Sequence, residues 1–154
     1  MLVEHARSLA GIADAAHAEY GAGGTPVITL LACSLLDQTI DVELPPGSLL
    51  ARLYGSSRAT EYTTCSYGLA PEMQHIASEH GMRVAATDDT GEVRAIERVD
   101  HPFFVGTLYQ PQLRSAPNAP HPVFIGLLDA ASATEQQVGA GDARRRGRRQ
   151  RVDQ

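Results

Sequence analysis

The chain has 154 residues, of which 43% are hydrophobic and 20% are charged, and its formal net charge at pH 7 is −5. This length is typical of one domain with a core of its own. No run of about 18 apolar residues occurs and charges interrupt the N-terminal stretch, which argues against a membrane span and a signal peptide. The composition therefore predicts a cytoplasmic protein.

The basic residues are all arginine, and they are unevenly distributed. Residues 1–134 carry 7 Arg against 15 acidic residues, whereas residues 135–154 carry 6 Arg against 3. The acidic body is a poor match for nucleic acid. We expect residues 134–154 to form a disordered, solvated tail. Contact of this tail with nucleic acid or an acidic partner is the alternative, and it would weaken with salt.

The first part of the chain predicts two helices separated by two strands. Apolar residues at helical spacing and abundant alanine predict a helix over residues 2–18. A short apolar run over 27–33 is typical of a buried strand. Alternation over 39–44 is typical of a half-buried strand. Ser48 is then placed to cap a short helix.

The middle of the chain predicts strands around one further helix. Residues 59–67 are rich in Thr and Tyr, as strands are. Pro71 suits the first turn of a helix that reaches His80 and ends at Gly81. Strands over 83–87 and 93–98 are then joined by a turn, which predicts a hairpin.

A strand over 103–109 and a helix over 120–131 complete the predicted elements. The buried stripe of this last helix is expected to contain four residues: Val123, Phe124, Leu127 and Leu128. This mixture of strands and helices predicts an α/β fold.

Neither a cofactor nor a metal is expected. The glycine-rich stretch at 21–24 lacks the Lys and the Ser or Thr of a phosphate-binding loop. His75 and His80 would lie about 140° apart around a helix, which is unfavourable for sharing an ion. Cys33 and Cys65 form neither a disulfide framework nor a zinc motif, so we expect free thiols.

Several segments carry a resemblance to a known family. Its most specific part is His-Pro-Phe-Phe-Val-Gly-Thr-Leu-Tyr-Gln-Pro-Gln-Leu-Arg-Ser, over residues 101–115. It resembles the closing motif of the glutaminase domain of CTP synthases, which are class I glutamine amidotransferases. Residues 3–11, 44–55 and 119–131 also resemble parts of that domain. The resemblance implies a flavodoxin-like, three-layer α/β fold, of which residues 1–133 represent about the second half.

The resemblance also locates the family's triad. In that family a His-Pro-Glu triplet supplies the general base of a Cys-His-Glu triad and the carboxylate that orients it. The same position here reads Gln110-Pro111-Gln112. Glutamine forms hydrogen bonds but cannot accept a proton from a thiol. We therefore expect a degenerate triad, with Gln110 and Gln112 at the former catalytic positions.

The family's nucleophile lies in a Gly-x-Cys-x-Gly elbow just before the helix that residues 2–11 resemble. By this resemblance the elbow would lie upstream of Met1. A gene start assigned too far downstream and a real truncation both explain this. The first is the favoured explanation, because a sheet that lacks its central strands would expose unpaired edges.

A third departure lies in the segment from Glu61 to Tyr67. The family carries a His- and Arg-rich stretch here that helps to hold glutamine, whereas this chain has no Arg between these two residues. From the resemblance we predict a ligand-binding set of four residues: Tyr62, Cys65, Tyr67 and Tyr109. Cys65 is either a substitute reactive thiol or a partly buried free cysteine.

Three functions follow as hypotheses. The first is a non-hydrolysing binding or regulatory protein, whose partner is a small molecule or a protein such as a synthetase-type domain. The second is an enzyme that uses the thiol of Cys65. The third is the C-terminal part of a glutamine-hydrolysing CTP synthase. We expect no partner membrane, and nucleic acid only through weak contact with the arginine-rich tail.

Overall fold

The computed structural model describes residues 1–21, 23–31 and 35–135. Cys33 lies outside this part, and so does the predicted tail except for its first two residues, which end the last helix. Among the described residues, no helix is long and apolar enough to cross a membrane.

Three α-helices and three short 3₁₀ helices are present in the described part of the chain. The α-helices are α1 (Leu2–Ser8), α2 (Leu49–Tyr54) and α3 (122–135). The 3₁₀ helices are Ala18–Tyr20, Pro71–Ser78 and Pro111–Arg114. The strands are β1 (Ala15–His17), β2 (Thr25–Leu30), β3 (Gln38–Glu43), β4 (Arg58–Thr63), β5 (Tyr67–Leu69), β6 (Met82–Thr87), β7 (Val93–Arg98) and β8 (Val105–Thr107).

The described strands form two sheets. One has the order β1-β2-β5, in which β1 and β2 are parallel and β5 is antiparallel to β2. The other has the order β4-β3-β6-β7-β8 and is antiparallel throughout. One buried cluster joins α1, β2 and the β6–β7 hairpin, and a second joins α2, β3 and α3. The α/β prediction is therefore confirmed.

The predicted β6–β7 hairpin is confirmed, and Asp88 organises its turn. The Asp88 carboxylate accepts hydrogen bonds from the main-chain N–H groups of Thr90 and Glu92, each at 3.0 Å. It also accepts from Arg94 Nε at 2.9 Å. These bonds from Thr90 and Arg94 outweigh burial and lower the pKa of Asp88. One side chain therefore fixes both ends of the turn.

The predicted cap of α2 is also confirmed. Ser48 Oγ accepts from the N–H of Ala51 at 3.0 Å, and Gly55 ends the helix in the left-handed region with φ +63°. The buried carboxylate of Glu97 accepts from the N–H of Leu49 at 2.8 Å and from Arg83. A carboxylate at this end satisfies an otherwise free helix N–H group.

The predicted helix over residues 2–18 is wrong beyond Ser8. The chain turns at Gly11, whose φ is +74°, and then enters β1. Ala15 is completely buried there, and its carbonyl accepts from Arg7 Nε at 2.8 Å. Alanine favours a helix only weakly, so the tertiary pairing of β1 with β2 decides the conformation.

Three other elements differ from the prediction in extent or type. The strand predicted over 59–67 breaks after Thr63, whose Oγ1 accepts from the N–H of Cys65 and donates to the carbonyl of Leu108. The strand predicted over 103–109 is confined to β8. The helix that begins at Pro71 is a 3₁₀ helix.

The buried stripe predicted for α3 is only half correct. Val123 is buried, whereas Leu127 and Leu128 are 46% and 67% exposed. The helix instead packs through Gly126, where a Cβ would meet the side chain of Leu53. The missing side chain lets α3 approach α2 closely, and this rotates the two leucines toward solvent.

His5 lies in α1 with only 7% of its surface exposed, and its Nε2 has no hydrogen-bond partner among the described residues. Burial lowers the pKa of His5 below its ordinary value of 6.5, and this effect exceeds that of a hydrogen bond to the Ile76 backbone. Folding therefore favours the neutral ring.

We predict that the protein loses stability as the pH falls through and below 6.5, because the unfolded chain protonates His5 first. The loss ends once the pH is below the lowered pKa of the folded state. In His5→Leu this component of the pH dependence should be absent. Urea unfolding at a series of pH values measures it, and equal slopes in both proteins would contradict the prediction.

Candidate functional site

The two glutamines of the degenerate triplet lie in different environments. Gln110 is half-buried, and its side-chain Oε1 accepts from the N–H of Thr64 at 2.8 Å. Its own N–H donates to the carbonyl of Tyr62 at 2.9 Å. Gln112 is exposed in the 3₁₀ helix that follows. The carboxamide of Gln110 therefore joins two chain segments, whereas that of Gln112 faces solvent.

Cys65 lies in the break between β4 and β5. Its thiol is half-buried and donates to the carbonyl of Tyr67 at 3.2 Å. A deprotonated sulfur has no hydrogen with which to form this bond. The local structure therefore favours the thiol over the thiolate.

Cys65 and Tyr67 line a cavity of about 460 Å³. Its walls come from the start of α1, from β2 and β5 on one side and from β7 and β8 on the other. Aliphatic side chains such as Leu2, Leu69 and Ile96 make much of the lining. The cavity thus lies between the two sheets, where β5 and β8 are each the last described strand.

The other two residues of the predicted ligand-binding set lie elsewhere. Tyr62 donates from its hydroxyl to Asp37 Oδ1 at 3.2 Å. Tyr109 is buried in a separate polar cluster. The structure therefore brings two of the four predicted residues together at the cavity, and the ligand-binding role of the set stays a prediction.

His17 is a cavity residue that the sequence did not indicate. Its ring lies 5.4 Å from that of Tyr67 and 5.0 Å from that of Tyr20, measured between centroids. Its Nδ1 accepts from the N–H of Glu19 at 3.2 Å. His17 reaches Tyr67 only because β2 separates β1 from β5 in one sheet, and no local pattern signals that pairing.

A second polar cluster is sealed inside the protein. Its members are Tyr54, Glu61, Tyr109 and His121, and the last three are each at most 4% exposed. Glu61 Oε1 accepts from Tyr54 at 2.7 Å and lies 3.0 Å from His121 Nε2. The hydroxyls of Tyr54 and Tyr109 lie 3.3 Å apart. We call these four residues the Glu61 cluster.

The hydrogen bonds of the Glu61 cluster specify where the protons are. His121 Nδ1 accepts from the N–H of Val123 at 3.3 Å, so the neutral ring carries its hydrogen on Nε2 and donates to Glu61. Burial raises the pKa values of Tyr54 and Tyr109, and both hydroxyls therefore stay protonated. Glu61 Oε2 has no partner in the described structure.

The Glu61 cluster is a structural junction rather than a reaction centre. It ties α2 through Tyr54, β4 through Glu61 and the start of α3 through His121. None of its four members lines the cavity. Within the described residues, no group of three or more His, Cys, Asp or Glu side chains is placed to hold a metal ion.

We predict that Glu61→Ala destabilises the protein by about 2–4 kcal/mol, because it leaves two buried donors, on Tyr54 and His121, without an acceptor. Tyr62→Phe is the matched control, since it removes an exposed bond to a carboxylate and should change stability by no more than about 0.5 kcal/mol. Urea unfolding measures both. Equal effects of the two substitutions would contradict this view of the cluster.

No protein-family model matches the chain. Its sequence is 32% identical over 149 residues to the CTP synthase of a Caulobacter species and 34% identical over 143 residues to that of Methanopyrus kandleri. The matches cover 84% and 86% of this chain but 27% of each relative. The chain thus spans about a quarter of the length of these curated relatives.

The fold is that of a solved glutaminase domain. The glutaminase domain of Trypanosoma brucei CTP synthase, solved with bound acivicin, matches with a TM-score of 0.79 at 23% identity. The match covers 86% of this chain and 56% of that one. A GMP synthase-like protein from Thermoplasma acidophilum matches with a TM-score of 0.52 at 14% identity, over 71% of this chain and 51% of that one.

Sequence and fold agree over the same part of the chain. The sequence matches connect it to the CTP synthases, and the superposition covers about half of a glutaminase domain. The chain is therefore a homologue of the CTP synthases, with the class I glutamine amidotransferase fold of their glutaminase domain.

Proposed function

We propose that this chain is a glutamine amidotransferase-like binding protein, related to CTP synthase, that does not hydrolyse glutamine. The observation that carries the proposal is the state of Gln110. Its carboxamide stands where the resemblance places the family's general base, and its oxygen already accepts from the N–H of Thr64. A neutral amide with that bond serves as a structural link between two segments.

The second support is the lack of a free group for a substrate carboxylate at the cavity. Arg94 is the one arginine that lines it among the described residues. Its side chain is 5% exposed and is paired with Asp88 and Glu92. A guanidinium with both of these partners has little capacity left to bind the carboxylate of glutamine.

The alternative of a glutamine-hydrolysing CTP synthase fragment is favoured by sequence identity alone. The relatives are 30–34% identical over about 85% of this chain, and they bear that name. Against it, Gln110 and Gln112 provide no proton acceptor, and Gln112 is turned to solvent. The identity therefore supports common descent more strongly than a common reaction.

The alternative of a thiol enzyme is favoured by one observation, which is that Cys65 and His17 line the same cavity. Catalysis would require a thiolate. The thiol instead donates to the carbonyl of Tyr67, and His17 Nδ1 is occupied by the N–H of Glu19. These bonds favour the resting thiol, and we rank this function second to binding.

We predict that the protein in its natural full-length form releases no ammonia from L-glutamine above a heat-denatured sample. The physical reason is the absence of a proton acceptor at positions 110 and 112. A coupled glutamate dehydrogenase assay measures the release. Gln110→His combined with Gln112→Glu is the matched variant, and ammonia from the unaltered protein would overturn the proposal.

We also predict that iodoacetamide alkylates Cys65 more slowly in the native protein than in the urea-unfolded chain. Partial burial and the bond to Tyr67 both protect the thiol. Cys65→Ser, treated in parallel, corrects for any reaction at Cys33. Faster alkylation of the native protein would favour the thiol-enzyme alternative instead.

A further inference from the structure

The free side of β5 carries this inference. Leu31 N–H donates to the carbonyl of Ser66 at 2.8 Å, and Ala70 N–H donates to that of Val27 at 2.9 Å. Between these two bonded pairs, an antiparallel ladder alternates in direction from one residue to the next. The main-chain groups of Tyr67 and Leu69 therefore point away from β2.

That side of β5 borders the cavity. Tyr67, Gly68 and Leu69 all line it, and no described strand pairs with β5 there. The carbonyl of Tyr67 accepts from the thiol of Cys65, a side chain two residues away. A weak thiol donor thus occupies an acceptor that a neighbouring strand would ordinarily use.

The position and chemistry of the cavity fit an extended chain better than a small polar molecule. Its volume is about 460 Å³, and it lies between the edge strands of the two sheets. Aliphatic residues line it and its one described arginine is paired. Main-chain donors along one wall and apolar side chains around them are the features of a site for strand addition.

The solved relative provides an independent argument for a polypeptide. The fold of the T. brucei glutaminase domain is reproduced with a TM-score of 0.79, yet the match covers 56% of that chain. The same architecture therefore packs against a large amount of further polypeptide in that protein. Here the described residues leave an apolar cavity and a strand edge uncovered.

We propose that the occupant of this cavity is an extended polypeptide strand with apolar side chains, which pairs with Tyr67 and Leu69 at the free edge of β5. This inference rests on the proposed binding function and names its partner. The strand would donate to the Tyr67 carbonyl in place of the Cys65 thiol, and its inward side chains would contact the aliphatic lining. The thiol then acts as a temporary partner for that carbonyl.

The test uses the full chain labelled with ¹⁵N and a blocked heptapeptide, Lys-Val-Thr-Val-Thr-Val-Lys. Two control peptides are N-methylated, one on every valine and the other on every threonine, so that each loses its donors along one edge. The parent peptide should shift the amide signals of Tyr67 and Leu69 and slow their hydrogen exchange. One of the methylated peptides should bind at least about fivefold more weakly for each bond lost.

Cys65→Ala provides a second measurement on the protein side. It frees the carbonyl of Tyr67 without touching the β2–β5 ladder, so the parent peptide should bind as tightly or more tightly. Weaker binding to this variant would overturn the inference. So would unchanged Tyr67 and Leu69 amides at millimolar peptide, or equal binding of all three peptides.

L-glutamine, added to the same sample, separates the inference from the proposed function. Shifts of the Tyr67 and Leu69 amides by glutamine but not by peptide would overturn the strand partner and leave a non-hydrolysing binding protein. Ammonia release would overturn the proposed function, whatever the peptide result.

Discussion

The constraint on which this structure depends is the buried carboxylate of Glu61. A charge removed from water must be compensated by hydrogen bonds, and here Tyr54 and His121 supply them from two different helices. His121 can donate only because its other nitrogen accepts from the N–H of Val123 at the start of α3. The protonation of one ring therefore links the start of α3 to β4 and α2.

The two halves of the molecule differ in how completely their polar groups are satisfied. Around Glu61 and Glu97, buried carboxylates accept from side chains and helix N–H groups. At the cavity, by contrast, the end of one sheet meets the end of the other, and the Tyr67 carbonyl is left with a thiol donor. Strand edges of this kind are the places where proteins add another strand.

Gln110 illustrates how a fold outlasts a reaction. A carboxamide keeps the ability to accept from a main-chain N–H, and this bond holds the segment after β4 against the end of β8. It cannot exchange a proton near neutral pH, so catalysis by a base is lost while the local geometry is kept. The exposed Gln112 contributes to neither.

The sequence by itself determined the hairpin at Asp88, the cap at Ser48 and the resemblance to the glutaminase domain, because each depends on residues close together in the chain. It failed where distant contacts outweigh local preference. Ala15 entered a strand because β2 pairs with it, and Leu127 and Leu128 face solvent because Gly126 packs against Leu53. Only the tertiary structure placed His17 beside Tyr67 and joined Glu61 to His121 across sixty residues. Such contacts follow from sheet order and helix packing, which no single segment encodes.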